Sequence, residues 1–353
     1  MSRTLLSLSL AATLLGGTAL AEAPKVVADI APVHSLVAQV MAGVGVPKLV
    51  IQQGASPHEY SLRPSEAQAL QDADLVFWIG AELSPWMADG IETLASDAAA
   101  TELLEAQGTT ALELRSNALF EKHIHGAHED DDHDDHADHK DHADHKEEGH
   151  DDHAHEDKHG DEGHEEHGHD DHDNHDDHAH GALDSHAWLS PQNAMTWLNV
   201  IAGQLSAADP ENAGTYFANA AAGRAQIEAT MAEVTATLDP VRDRQFIVFH
   251  DAYQYFENDF DFPAAGAISI GDASDPSPAR VAEIQARISD EGIDCVLSEP
   301  QFNAGLVATV LDGAQAKTAV LDPLGADLEL GPQMYRQLIT NLSAALAGCL
   351  ARS

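Results

Sequence analysis

Histidine is the residue in this chain best equipped for chemistry, and it falls in two kinds of place. Nineteen of the 23 His lie in residues 121–181, among 25 Asp or Glu and four Lys; from position 128 the stretch reads HEDDDHDDHADHKDHADHKEEGHDDHAHEDKHG. The other four, His34, His58, His186 and His250, stand far apart in otherwise ordinary sequence. Neutral imidazole is the favoured nitrogen ligand for zinc, and three imidazoles with a carboxylate or a water complete a four-coordinate site. Three isolated His at positions that converge would therefore bind a metal tightly. Three His tip the choice toward zinc, and softness alone does not exclude copper or nickel, because zinc is not the tightest binder in the divalent series.

Convergence depends on the elements that carry these residues. VVADI (26–30) reads as a short apolar strand, followed by a helix with Val33, Leu36, Val37, Val40 and Met41 at helical spacing. VPKLVIQ is a second strand and QGASPHEYSL a loop; a helix then starts at Pro64, with Ser65 close enough to cap it. DLVFWIG, a helix from SPWMADGIETLA, and a fourth strand at TTALEL follow. After the His/Asp run, a helix spans about 191–206. Residues 209–239, bracketed by Pro210 and Pro240 and rich in Ala, predict one helix of about 28 residues, near 42 Å long, with Asp209 able to cap it. QFIVF, FPAAGAI, IDCVLS and TAVL are then strands separated by helices. Such alternation implies parallel sheets with helices on both faces. The expected fold is α/β: two lobes, each a parallel sheet flanked by helices, joined by a long interdomain helix, with a metal site in the cleft. The lobes are expected at 22–208 and 240–353.

On this scheme His250 ends the strand QFIVF, His58 lies in the loop after the second strand, and His186 stands just before AWLSP. Ligands of parallel α/β sheets bind beyond the carboxyl ends of strands. Asp322, directly after TAVL, has the same placement and is a candidate fourth ligand alongside water. His34 sits on the apolar face of a helix and reads as structural.

The formal charge is −43, of which residues 121–181 carry −21. That argues against nucleic acid or an anionic membrane as a partner and suits cations. The run cannot bury enough apolar area to offset its ordering entropy, so a flexible loop is expected there. Residues 1–21 read as a signal peptide: Arg3, an apolar Leu5 to Leu15 region, and Ala19-Leu20-Ala21 as the cleavage site. Export would make Cys295 and Cys349 either one disulfide or two buried thiols, and their spacing suits no Cys-based zinc site.

GASPHEYSLRPSEAQAL, DSHAWLSPQNA, FHDAYQYFE, SEPQF and LDPLG together resemble the ZnuA-type zinc-specific solute-binding proteins of bacterial ABC importers, across nearly all of the chain after residue 21. The resemblance implies a periplasmic, monomeric protein that binds Zn²⁺ through His58, His186 and His250. It would deliver the ion to a membrane permease driven by a cytoplasmic ATPase, with a periplasmic zinc chaperone as a further partner. It also implies a Cys295–Cys349 disulfide. Some members use a Glu directly before the first His as a ligand; here that position is Pro57, which leaves Asp322 or water. Glu299 of SEPQF reads as a supporting hydrogen-bonding residue. The acidic His-rich loop precedes the second His in that family, as it does here, and reads as an accessory that captures zinc more weakly than the cleft. The rival functions are a periplasmic zinc buffer or metallochaperone, which predicts many weak sites, and a zinc-dependent hydrolase. The chain has no H-E-x-x-H, G-x-S-x-G or phosphate loop, so it is not expected to be an enzyme.

Overall fold

The computed structural model describes residues 23–115, 183–269, 276–302, 304–311, 313 and 315–351. The expected signal peptide and the His-rich run lie outside the described residues.

Two four-stranded parallel sheets organise the rest. The first contains β1 (Val26–Ala28), β2 (Lys48–Leu49), β3 (Leu75–Trp78) and β4 (Ala99–Glu102) in the order β2-β1-β3-β4. The second contains β5 (Phe246–His250), β6 (Gly266–Ser269), β7 (Cys295–Ser298) and β8 (Lys317–Val320) in the order β6-β5-β7-β8. The two central strands of each sheet are almost wholly buried, as parallel sheets covered on both faces require.

Helices α1 (Ala31–Val40), α2 (Pro64–Gln71), α3 (Pro85–Leu94) and α4 (Pro191–Ala208) belong to the first lobe. Proline stands in the first turn of each, where its missing N–H costs nothing. Ser190 Oγ caps α4 by accepting from Asn193 N at 3.0 Å. Ser65 does not cap α2. The helix already includes it, and Glu66 Oε2 instead accepts from Arg63 N at 2.8 Å, closing the first turn from inside.

The long helix α5 (Ala213–Leu238) has 26 residues, about 39 Å. A 3-10 turn at Pro210–Asn212 precedes it and another at Asp239–Val241 follows. Asp209 receives Asn212 Nδ2 and Tyr216 Oη, both at 2.8 Å, rather than the backbone N–H groups of the helix. Its buried residues Tyr216, Ala220, Gly223, Ile227, Thr230, Val234 and Leu238 recur every three or four positions and form one stripe. A Cβ on Gly223 would sit 2.9 Å from Leu198 Cδ1 and 3.0 Å from Gln39 Cγ, so a side chain there would force these residues of α4 and α1 to shift.

The second lobe adds α6 (Gln254–Phe260), α7 (Pro278–Glu291), α8 (Ala304–Val310) and α9 (Met334–Leu350). Helix α9 packs on both α5 and α1, and Leu338, Ile339, Leu342 and Leu346 join the core that also holds β1, β3 and α4. A smaller cluster, including Ile247, Ile268, Ile284 and Val296, fills the other face of the second sheet. The lobes thus share one apolar core along α5 and α9. Cys295 and Cys349 form a disulfide that ties β7 to α9.

One strand differs from expectation. TTALEL at 109–114 is not the fourth strand, which is instead AATE, Ala99–Glu102. That edge strand is small, polar and partly exposed, so it carries no apolar alternation. Residues 109–114 leave the sheet, and Glu113 forms an isolated antiparallel bridge with Leu183. Among the described residues no helix is long and apolar enough to cross a membrane.

Candidate metal centre

A cavity opens between the carboxyl ends of the two sheets, and His58, His186 and His250 all line it. Each arrives by a different route. His250 is the last residue of β5. His186 immediately precedes a 3-10 turn, Ala187–Leu189, which leads into α4. His58 lies in the loop between β2 and α2. Its neighbour Pro57 is held through its carbonyl, which accepts from Trp86 Nε1 at 2.9 Å and Ser84 Oγ at 3.3 Å. Loops of the two lobes are tied at the cavity wall: Gln53 Nε2 donates to Gly325 O (2.9 Å) and Leu328 O (2.7 Å), and Trp188 Nε1 donates to Pro323 O (2.8 Å).

Two imidazoles are held in matching fashion. His186 Nδ1 lies 2.7 Å from Asp184 Oδ1, and His250 Nδ1 lies 2.7 Å from Glu299 Oε1. The same carboxylate oxygens also accept the backbone N–H of each His, at 2.9 and 3.3 Å. A carboxylate at Nδ1 draws the ring proton to that nitrogen and leaves the Nε2 lone pair for another partner. The two Nε2 atoms stand 3.3 Å apart. Two nitrogens each about 2.0–2.1 Å from one tetrahedral zinc are separated by about 3.3–3.4 Å, so the spacing is that of a shared cation. Two lone pairs this close repel unless a proton or a metal ion lies between them.

The third imidazole stands farther back, its ring centre 5.6 Å from that of His186, against 5.1 Å between His186 and His250. Among the described residues, no three ligand side chains are drawn tightly around one point. The geometry is therefore a preformed pair with a third imidazole in the same cavity. Apolar groups complete the wall: Trp188 lies against His186, and Phe302, stacked on Phe249, meets His250 edge-on. They lower the local dielectric and strengthen any ion–ligand attraction.

Asp322 is not among the residues lining the cavity. Its Oδ1 accepts from Leu324 N (3.0 Å), Gly325 N (3.0 Å) and Gln301 Nε2 (3.3 Å), and its Oδ2 from Ala326 N at 2.6 Å. The carboxylate shapes the loop after β8. Glu299 does line the cavity; its Oε2 is buried with no hydrogen-bond partner among the described residues. His34 lies away from the cavity, with Nε2 3.1 Å from Pro47 O, and burial lowers its pKa. Asp184 was not singled out by sequence reasoning, although its place two residues before His186 was the available signal.

Two parallel α/β lobes with three imidazoles lining the cavity between them have the architecture of a cleft-type binding protein. The chain matches the family described as zinc-uptake complex component A, periplasmic, over residues 26–349, and it belongs to that family. It is 44% identical over 337 residues to a high-affinity zinc uptake system protein ZnuA of Brucella suis biovar 1 (strain 1330), covering 96% of this chain and 95% of that one. To the ZnuA of Paracoccus denitrificans (strain Pd 1222) it is 43% identical over 348 residues, 98% of each chain. A crystal structure of ZnuA superposes with a TM-score of 0.68 at 21% identity, covering 93% of this chain and 100% of the other, which bears on the fold alone.

Proposed function

We propose that this protein is the periplasmic zinc-binding component of an ABC importer. It binds one Zn²⁺ through Nε2 of His58, His186 and His250, and passes the ion to a membrane permease powered by a cytoplasmic ATPase. The ion is cargo, and the protein is not an enzyme. The observation that carries this reading is the His186–His250 pair, with both Nδ1 atoms on carboxylates and both Nε2 atoms 3.3 Å apart. The family and the names of its relatives support zinc as the ion.

Water is proposed as the fourth ligand. Asp322 is occupied with backbone N–H groups, whereas Glu299 Oε2 is available to accept from such a water. The functional lobes are proposed as 22–208 and 240–353 around the linking segment 209–239, with 1–21 as a signal peptide. The shared core along α5 and α9 opposes a wide hinge, so release proceeds by small movements of the loops that carry His58 and residues 322–326. The His-rich run at 121–181 is proposed to gather zinc at weaker sites.

The test is zinc binding by competition with a chromophoric chelator on protein lacking residues 1–21. One tight ion per chain, lost in His186→Ala and in His250→Ala, supports the reading. Several weak ions and none tight would replace it with a zinc buffer.

A further inference from the structure

The two segments that flank the His-rich run are fastened to each other and to the second lobe. Asp184 N donates to Leu112 O at 2.8 Å, and Glu113 bridges Leu183. Leu112 N donates to Tyr255 Oη (3.0 Å), and that hydroxyl donates to Asp184 O (2.7 Å). Tyr255 belongs to α6, so this stem is anchored on an element of the second lobe.

Arg115 extends the stem one step further. Its Nε lies 3.0 Å from both oxygens of Asp251, and its Nη2 also donates to Asp251 Oδ1. Nη1 and Nη2 reach Glu257 Oε2 and Oε1 at 2.9 and 3.0 Å. Asp251 and Glu257 are 3% and 6% exposed, so one cation holds two buried anions together. Only a planar guanidinium presents enough donors in one fork to satisfy both; an ammonium is a point charge with no such fork. Asp251 directly follows His250, and Ala252 N closes the turn onto His250 O at 2.9 Å. At the other end of the stem, Asp184 holds Nδ1 of His186. The network therefore ends in a hydrogen bond to the ring of His186 on one side and, on the other, at Asp251, the residue next to His250 in the chain.

We propose that Arg115 is a positioning residue for the three-histidine site: by clamping Asp251 and Glu257 to the stem of the His-rich run, it fixes the turn that presents His250 to His186. The inference rests on the reading of the cavity as a zinc site. Without the guanidinium the two carboxylates repel and the turn at 250–252 relaxes, so the nitrogen spacing drifts from tetrahedral.

The test compares full-length mature wild type with Arg115→Gln, Arg115→Lys and Arg244→Gln. Arg244 pairs with Asp294 at the amino end of β5, away from the cavity, and controls for general loss of stability. Each protein is titrated with zinc against a chelator and loaded with Co²⁺, whose visible bands report ligand geometry. Arg115→Gln is expected to weaken tight zinc binding about tenfold or more, as loss of a supporting contact does, and to alter the cobalt bands. Arg115→Lys should recover part of both, and Arg244→Gln should change neither. If Arg115→Gln does not fold, Arg115→Lys carries the same two readings with a smaller loss. Wild-type affinity and bands in the Arg115 variants, whatever their melting temperature, would overturn the proposal, as would equal losses in Arg244→Gln. A wild-type chain with no tight site would instead overturn the zinc-site reading itself, and this inference with it.

Discussion

The two sheets share a strand order, β2-β1-β3-β4 against β6-β5-β7-β8, yet their corresponding strand ends are put to opposite uses. In the first lobe Asp29 follows β1 and is fully buried. Its two oxygens accept from Ile30 N (2.6 Å) and from Ile79 N, just beyond β3 (2.7 Å). In the second lobe His250 ends β5, and Glu299, just beyond β7, accepts from its backbone and its ring. Both lobes thus place a carboxylate across the gap between the two central strands. In the first it closes the backbone and turns inward. In the second it holds an imidazole whose far nitrogen faces the cavity. The same topology therefore yields one central strand end that is sealed and one that presents an imidazole to the cavity, according to which group the carboxylate faces.

The largest effect should follow from removing the proposed ligand His250. His250→Ala should abolish tight zinc binding in chelator competition, a loss exceeding the roughly 10–100-fold typical of losing a supporting partner. Unchanged affinity would show that the strand ends are not differently used after all. Glu299→Gln comes next. It removes the carboxylate that fixes the His250 ring while keeping size, and should weaken zinc about 10–100-fold in the same competition. Asp184→Asn should act alike on His186.

A third effect should fall on stability rather than on zinc. The Cys295–Cys349 disulfide joins β7 to α9, residues 54 apart in sequence. Cys349→Ser should cost about 2–4 kcal/mol in denaturant unfolding with little change in zinc affinity. A large affinity loss would mean that the brace also sets the ligand geometry.

The smallest effect concerns the sealed end. Burial pushes the Asp29 carboxyl from 3.8 up to about 7. The folded state therefore keeps this proton where the unfolded state has lost it. Its contribution to stability falls as pH rises from about 4 to about 7, by on the order of a few kcal/mol, and then levels off. Unfolding of zinc-free protein across that range should show this decline in wild type relative to Asp29→Asn. Parallel pH profiles would mean that the N–H groups of Ile30 and Ile79 hold Asp29 ionised throughout.

Much of this was legible in the sequence because it rests on local patterns. Apolar runs between turn residues marked seven of the eight strands, and Pro210, Pro240 and the alanines between them marked the long helix. The alternation of elements put His250 at a strand end and His58 in the loop after a strand, whereas His186 stands before a 3-10 turn; all three line one cavity. What escaped was set by tertiary context. β4 carries no apolar alternation and pairs only because β3 lies beside it. TTALEL has the alternation, but its partner is Leu183, some 70 residues away and beyond the His-rich run. The carboxylate of Asp322 sits at a strand end as expected but is turned to its own loop, a matter of side-chain direction that spacing does not encode. Arg115 showed no local signal, since both its partners lie over 130 residues downstream.

The central claim is that the cavity, and not the His-rich run, is the tight site. It is tested most directly by zinc titration against a competing chelator on mature protein with and without residues 123–180. One tight ion retained after deletion, with only weaker binding lost, is the predicted result. Loss of the tight ion with the deleted residues would contradict it and make the His-rich run the principal zinc site.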